Sequence, residues 1–153
     1  VKITLSTDNV RWSKKPETWN VTELVKVAVV LGLLMVVESL GILYIGLKYF
    51  GLAANDELLH TFSFEVMFYF AIFSIWLVRE RRHFWDSMAS RTLLTALILD
   101  AAVATIIATV GLPGLAPMPL AKTLAVITYA GICSLVVNDL IKFILVKKAG
   151  LIW

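Results

Sequence analysis

Four acidic side chains inside long apolar runs are the residues of this sequence that could do chemistry. Glu38, Glu65 and Asp100 are each the only charge in their run, and Asp139 is followed three residues later by Lys142. A carboxylate at the centre of a bilayer costs roughly 2.5–3.5 kcal/mol, so it needs a proton, a hydrogen-bond partner or an ion. These positions therefore indicate binding of a proton or a cation.

Each acid also has a purely structural interpretation. Glu38 and Asp100 lie nearest the middle of their runs, where a protonated or hydrogen-bonded acid is the alternative to an ion site. Glu65 lies near the outer end of its run and could reach water. Asp139 and Lys142 share one helix face, and we expect an internal ion pair that holds the last helix in place.

The sequence offers no other pattern typical of catalysis. His60 and His83 are its only histidines, and we expect them in links on opposite sides of a membrane, where they cannot share a metal or haem. Glycine-rich phosphate loops, cysteine pairs and the HExxH and GxSxG motifs do not occur. We therefore predict no catalytic residue, metal or cofactor in this chain.

Four apolar runs must position these side chains. Of the 153 residues, 59% are hydrophobic, whereas soluble domains have about 45–50%. Each run has about the ~17–25 residues that a helix needs to cross a bilayer, and none alternates like a membrane strand. We predict an all-α integral membrane bundle over residues 21–153, preceded by a polar loop at 1–20. The expected helices are at about 21–50, 61–80, 91–112 and 119–147.

Basic residues predict how the bundle is oriented. Of the fourteen Lys and Arg residues, only Lys48 and Lys122 fall on one side of the predicted bundle. The positive-inside rule places the other side, with both termini, in the cytoplasm. The net charge of +3 then reflects topology, and we expect no nucleic-acid partner.

Small residues indicate which helix faces touch in a membrane. Asp100 lies in a stripe of alanines at four-residue spacing, so we expect it to face protein rather than lipid. Ala130, Ser134 and Asn138 form a similar stripe in the fourth run, which adds Asn138 to the polar candidates. The second run is aromatic on most sides, and we expect it to have a large lipid-facing surface.

Three stretches, taken in their order and spacing, resemble one family. They are Asp8–Trp19, with Lys14, Lys15 and Pro16; Val78-Arg79-Glu80-Arg81 with Phe84-Trp85; and Asp139-Leu140-Ile141-Lys142-Phe143. Together they resemble the C-terminal end of a P-type ATPase, closest to the plasma-membrane proton-pump branch, over essentially the whole chain. The four runs are then similar to transmembrane helices seven to ten. Ala89 departs from the family, in which Pro often follows the basic link.

This resemblance implies a supporting role within a larger enzyme. The family exports cations with ATP and Mg²⁺ through an aspartyl phosphate, but its DKTGT and TGDGxND motifs are absent here. Helices seven to ten brace the ion-carrying helices, so this chain alone is expected to be non-catalytic. Asp8, Lys14, Lys15 and Trp19 would belong to the cytoplasmic coupling loop after the sixth helix. Glu65 lies at a depth similar to an ion-site acid of calcium pumps.

Two further expectations concern what surrounds the chain. It has no initiator Met, so we expect it to continue upstream as part of a larger pump. One alternative is a self-standing four-helix channel or transporter subunit that uses Glu38 and Asp100. Another is a membrane scaffold that transports nothing. Arg79, Arg81 and Arg82 follow the second run on the expected cytoplasmic side. They are candidates for binding anionic lipid headgroups.

Overall fold

The computed structural model describes residues 21–80 and 82–150, most of which belong to four long helices. These are α1 (Val21–Tyr49), α2 (Asp56–Val78), α3 (Arg91–Val110) and α4 (Leu120–Lys148). Each is long and apolar enough to cross a membrane. A 3-10 turn at Leu52–Ala54 joins α1 to α2, and the described residues contain no β-strand. The prediction of an all-α membrane bundle of four helices is confirmed.

Capping residues determine where two of the helices begin. The Asn55 side chain accepts a hydrogen bond from the Leu58 amide at the start of α2, and Ser90 caps α3 in the same way. Such bonds satisfy amides that have no partner inside the helix. Because Asn55 starts α2, His60 lies within the first turns of a helix, and the expectation that it lies in a link is wrong.

α2 is the central helix of the bundle and contacts α1, α3 and α4. Phe62, Tyr69 and Phe70 are buried in the core, so the expectation of a large lipid-facing surface on this helix is wrong. Its aromatic rings point in several directions because α2 has neighbouring helices on several sides. Large rings fill these interhelical spaces with much apolar area per residue.

α1 lies more to the outside and approaches α2 closely at one glycine. Only Leu31, Ile42 and Gly46 of α1 are buried. A Cβ atom on Gly46 would lie 2.7 Å from Leu52 Cδ1 and 2.8 Å from Phe62 Cε1. The missing side chain therefore allows the two helices to approach at this level.

Hydrogen bonds join the links at one end of the bundle. Thr61 Oγ1 donates to the Ala116 carbonyl at 2.8 Å, and Lys122 Nζ donates to the Phe50 carbonyl at 2.8 Å. These bonds bring the α1–α2 and α3–α4 links together. At the other end the α2–α3 link bonds to Asp139 of α4, so the helices run alternately up and down.

Candidate functional site

The interior of the bundle contains a polar stripe on α4. Within this helix, Cys133–Asn138 form a π-helical segment, a rare feature that is frequent at functional sites. Ala130, Ser134 and Asn138 are all buried, so the stripe expected in the fourth run is confirmed. Ser134 Oγ and Asn138 Oδ1 have no hydrogen-bond partner within the described part of the chain.

Glu38 of α1 contacts this stripe. The Asn138 amide donates to Glu38 Oε2 at 2.8 Å, and the Tyr129 hydroxyl donates to the Glu38 carbonyl at 3.2 Å. Glu38 is therefore hydrogen-bonded to an Asn across a helix contact, which is one of the two alternatives predicted for it. The bond joins α1 to the π-helical segment.

Glu65 lies on α2 and is fully buried against α4. Thr123 Oγ1 donates to Glu65 Oε1 at 2.7 Å, and Glu65 Oε2 has no partner among the described residues. Glu65 therefore does not reach water, contrary to one of its predicted alternatives. The reason is that α2 occupies the middle of the bundle and Thr123 lies against the carboxyl group. A buried carboxyl group with one satisfied oxygen is suited to carrying a proton, since the neutral form avoids the cost of a buried charge.

Asp100 lies at the midpoint of α3 but outside this interior. Its side chain is exposed, and no hydrogen bond or ion pair involves it within residues 21–80 and 82–150. The buried residues of α3 are Leu93, Leu97, Ala104 and Ala108. The expectation that Asp100 faces protein within this bundle is therefore wrong, because the packed face runs through the two leucines rather than through Ala96 and Asp100.

A polar group with several mutual bonds lies at the end of the bundle where α2 ends. We call it the Asp139 cluster, and it comprises Asp139, Lys142, His83, Phe84 and Leu77. Asp139 Oδ1 lies 2.9 Å from Lys142 Nζ and 3.1 Å from the Phe84 amide, and Asp139 Oδ2 lies 2.6 Å from His83 Nδ1. Lys142 Nζ also donates to the Leu77 carbonyl at 2.8 Å. The expected Asp139–Lys142 ion pair is present.

His83 is the residue of this cluster that the sequence did not predict. Its ring stacks on Phe143 with centroids 4.3 Å apart and on Trp85 with centroids 4.5 Å apart. His83 and Asp139 are 56 positions apart, so no local pattern connects them. The only indication was that Asp139 belongs to the third stretch of the family resemblance and that His83 directly precedes Phe84 of the second.

The arginines after α2 have different environments. Arg79 is only 4% exposed, and its guanidinium donates to the carbonyl oxygens of Phe84 and Ser87. The expectation that Arg79 binds lipid headgroups is wrong, because this side chain holds the α2–α3 link instead. Arg82 is partly exposed, and Arg81 lies outside the described residues.

Other predicted features lie outside or apart from these contacts. Asp8, Lys14, Lys15 and Trp19, the expected coupling loop, are not among the described residues. His60 lies in the first turns of α2, and His83 lies five residues beyond its last residue. Within the described residues, no group of three or more His, Cys, Asp and Glu side chains is arranged to hold a metal ion.

The fold and its polar contacts define a helical membrane domain whose helices carry the hydrogen-bonded acids Glu38, Glu65 and Asp139. A family model described as cation transporting ATPase, C-terminus, matches residues 4–144. The chain belongs to this family and is a C-terminal transmembrane part of a P-type cation ATPase. No curated protein and no solved structure gave a significant match.

Proposed function

We propose that this chain forms transmembrane helices seven to ten of a P-type ATPase that exports protons across the plasma membrane. One observation supports the proposal most strongly: two of the three stretches that resemble proton pumps bond directly to each other. The Phe84 amide of the second stretch donates to Asp139 Oδ1 of the third at 3.1 Å, and His83, which precedes Phe84, bonds to the other oxygen of the same carboxylate. Residues far apart in the sequence thus form one structural unit.

The proposed role is to hold the ion-carrying helices in position. Polar bonds connect α4 to α1 through the half-buried Glu38 and the buried Asn138, and to α2 through the buried Glu65 and Thr123. The Asp139 cluster fastens the α2–α3 link to the same helix. Such bonds restrain helix sliding, because in lipid a displaced polar group finds no water to replace its partner.

In this proposal α1 faces the remainder of the pump. Its side chains are largely exposed, including Leu33, Val37 and Leu40, and they offer an apolar face to helices one to six. The end of the bundle with the Asp139 cluster lies in the cytoplasm, according to the distribution of Lys and Arg. Mg²⁺ and ATP bind to the cytoplasmic domains of the parent enzyme, outside this chain.

The experiment that tests the proposal uses the full-length protein that contains this chain. Reconstituted in liposomes with its ATP site outward, the protein should acidify the lumen when Mg²⁺ and ATP are added, as reported by a pH-sensitive dye. It should also form an acid-stable phosphoenzyme from labelled ATP. Phosphoenzyme formation with uptake of another cation and no acidification would overturn the proton assignment. Absence of both activities would overturn the proposal that the full-length protein is an ATP-driven pump.

The channel alternative receives no support from the geometry. Glu38 points to Asn138 on α4, whereas Asp100 lies on the exposed face of α3. The two acids therefore do not line a common path within the described residues. A protein in which they formed one proton pathway would need both side chains on the same side of a helix interface.

A further inference from the structure

Two buried oxygen atoms on the polar stripe of α4 lack a hydrogen-bond partner. Ser134 Oγ and Asn138 Oδ1 belong to fully buried side chains, and neither atom is bonded within the described part of the chain. The two residues are four positions apart, so their side chains are neighbours on one helix face. Leaving a buried polar atom unpaired costs free energy. Two such atoms side by side therefore indicate that this contact has a second arrangement in which both are bonded.

The Asn138 amide provides the second arrangement, because it carries a donor at one end and an acceptor at the other. Asn138 Nδ2 donates to Glu38 Oε2 at 2.8 Å, which suits an ionised Glu38, since a carboxylate only accepts hydrogen bonds. Turning the amide by 180° exchanges its oxygen and its nitrogen. A protonated Glu38 can then donate from Oε2 to Asn138 Oδ1, while Asn138 Nδ2 donates to Ser134 Oγ. Both unpaired atoms are bonded in this arrangement.

The groups around Glu38 provide no positive charge to balance a carboxylate. Its hydrogen bonds in the described chain are those to Asn138 and Tyr129, and no Lys, Arg or His lies against it there. The titratable groups that face it are Tyr129 and Cys133, both on α4, and each is uncharged when protonated. A carboxylate near the middle of a membrane span is costly without a cation. A proton is the ligand that removes this cost.

Glu38 also has a side from which a proton can arrive. Its side chain is half-buried, whereas Ser134 and Asn138 are fully buried. Glu38 Oε2 is bonded to Asn138, but Oε1 makes no hydrogen bond to any described residue. The carboxyl group therefore lies between the buried stripe of α4 and the outer surface of α1.

We propose that Glu38, Asn138 and Ser134 form a reversible proton-binding site at the contact between α1 and α4. Glu38 takes up one proton on Oε2 and loses its negative charge, and no other covalent bond changes. The Asn138 amide turns with each uptake and release, donating to the carboxylate and accepting from the acid. The bond between α1 and α4 is thus kept in both states. The bundle holds a proton at this depth without loosening the contact between these two helices.

Infrared spectroscopy of the full-length protein in liposomes tests the proposal without ATP, so the result does not depend on which ion the parent enzyme transports. The spectrum of Glu38→Gln is subtracted from that of the unmodified protein. Gln keeps a donor and an acceptor towards Asn138, so this variant is expected to fold. At neutral pH the difference should contain the carbonyl stretch of one protonated carboxyl group. The band should vanish at alkaline pH and return when the pH is lowered.

Two results would contradict the proposal. Absence of the band at neutral pH would show that Glu38 is ionised and that Asn138 Oδ1 needs another donor, such as a buried water. A band that persists until the protein unfolds would show a permanently neutral acid and no reversible site.

A matched pair of variants tests the role of Asn138. Asn138→Leu removes the amide at similar volume, so the Glu38 band should move to higher frequency, because a carboxyl carbonyl stretch rises when the group loses a hydrogen bond. Thr123→Val removes the partner of Glu65 in the same way and should leave the Glu38 band unchanged. In each background the band is isolated by subtracting the spectrum that also contains Glu38→Gln. An unshifted band in Asn138→Leu, or an equal shift in both variants, would overturn the role of Asn138.

Discussion

Asp139 and Asp100 are aspartates of two apolar helices, but they differ in burial and in hydrogen bonding. Asp139 is fully buried and bonded to His83, Phe84 and Lys142. Asp100 lies halfway along α3, exposed and without a partner among the described residues. The difference shows that depth along a span does not determine what an acid does. The helix face on which it lies, and the neighbours of that face, determine it.

The largest effect is expected where the charge is buried and paired. Asp139→Ala should lower the free energy of unfolding by about 3–5 kcal/mol, because it leaves the Lys142 ammonium buried with a lost partner. The measurement is denaturant unfolding in mixed detergent micelles, followed by circular dichroism. Adding Lys142→Met should recover a large part of the loss. If the double variant were less stable than Asp139→Ala, the loss would come from the link contacts and not from the unpaired charge.

Glu65 provides an intermediate case, buried with a neutral partner. Glu65→Ala should cost about 1–3 kcal/mol, since it leaves Thr123 Oγ1 without its acceptor in a buried site. Glu65→Gln keeps an oxygen that can accept the same bond and should cost less. The same unfolding measurement separates the two variants. Equal losses for Gln and Ala would mean that the hydrogen bond to Thr123 does not stabilise this position.

The smallest effect is expected on the outer face of α3. Asp100→Ala removes an exposed side chain without a described partner and should change the stability of the bundle by no more than about 0.5 kcal/mol. The free energies of unfolding of Asp100→Ala and Asp139→Ala, measured under the same conditions, compare the exposed aspartate directly with the buried one. A loss as large as that of Asp139→Ala would show that Asp100 is held by contacts within the bundle, contrary to the structure.

Local features of the sequence predicted much of this molecule. Hydropathy located the four spans, because each apolar run is as long as a bilayer is thick. The Asp139–Lys142 pair and the small-residue stripe ending at Asn138 also followed from helical spacing alone. These predictions succeeded because they need only one helix.

Features that depend on neighbouring helices could not be predicted in this way. In a membrane, surfaces that face lipid and surfaces that face protein are both apolar, so composition does not tell them apart. For this reason the central position of α2 and the outward face of Asp100 were wrongly predicted. The role of His83 was not predicted because its partner lies 56 residues away in the sequence. The π-helical segment was not predicted because no residue pattern in α4 indicates it.

The π-helical segment has a consequence for how long α4 can be. Ala130, Ser134, Asn138, Lys142 and Val146 repeat every four residues and are all buried. On a regular α-helix each such step advances about 40° beyond a full turn, so the stripe would wind away from its neighbours. The wider turn at Cys133–Asn138 takes up part of this drift. If one residue were removed from this segment, α4 could keep its contact with Glu65 within the membrane or its contact with His83 at the membrane surface. It could not keep both contacts.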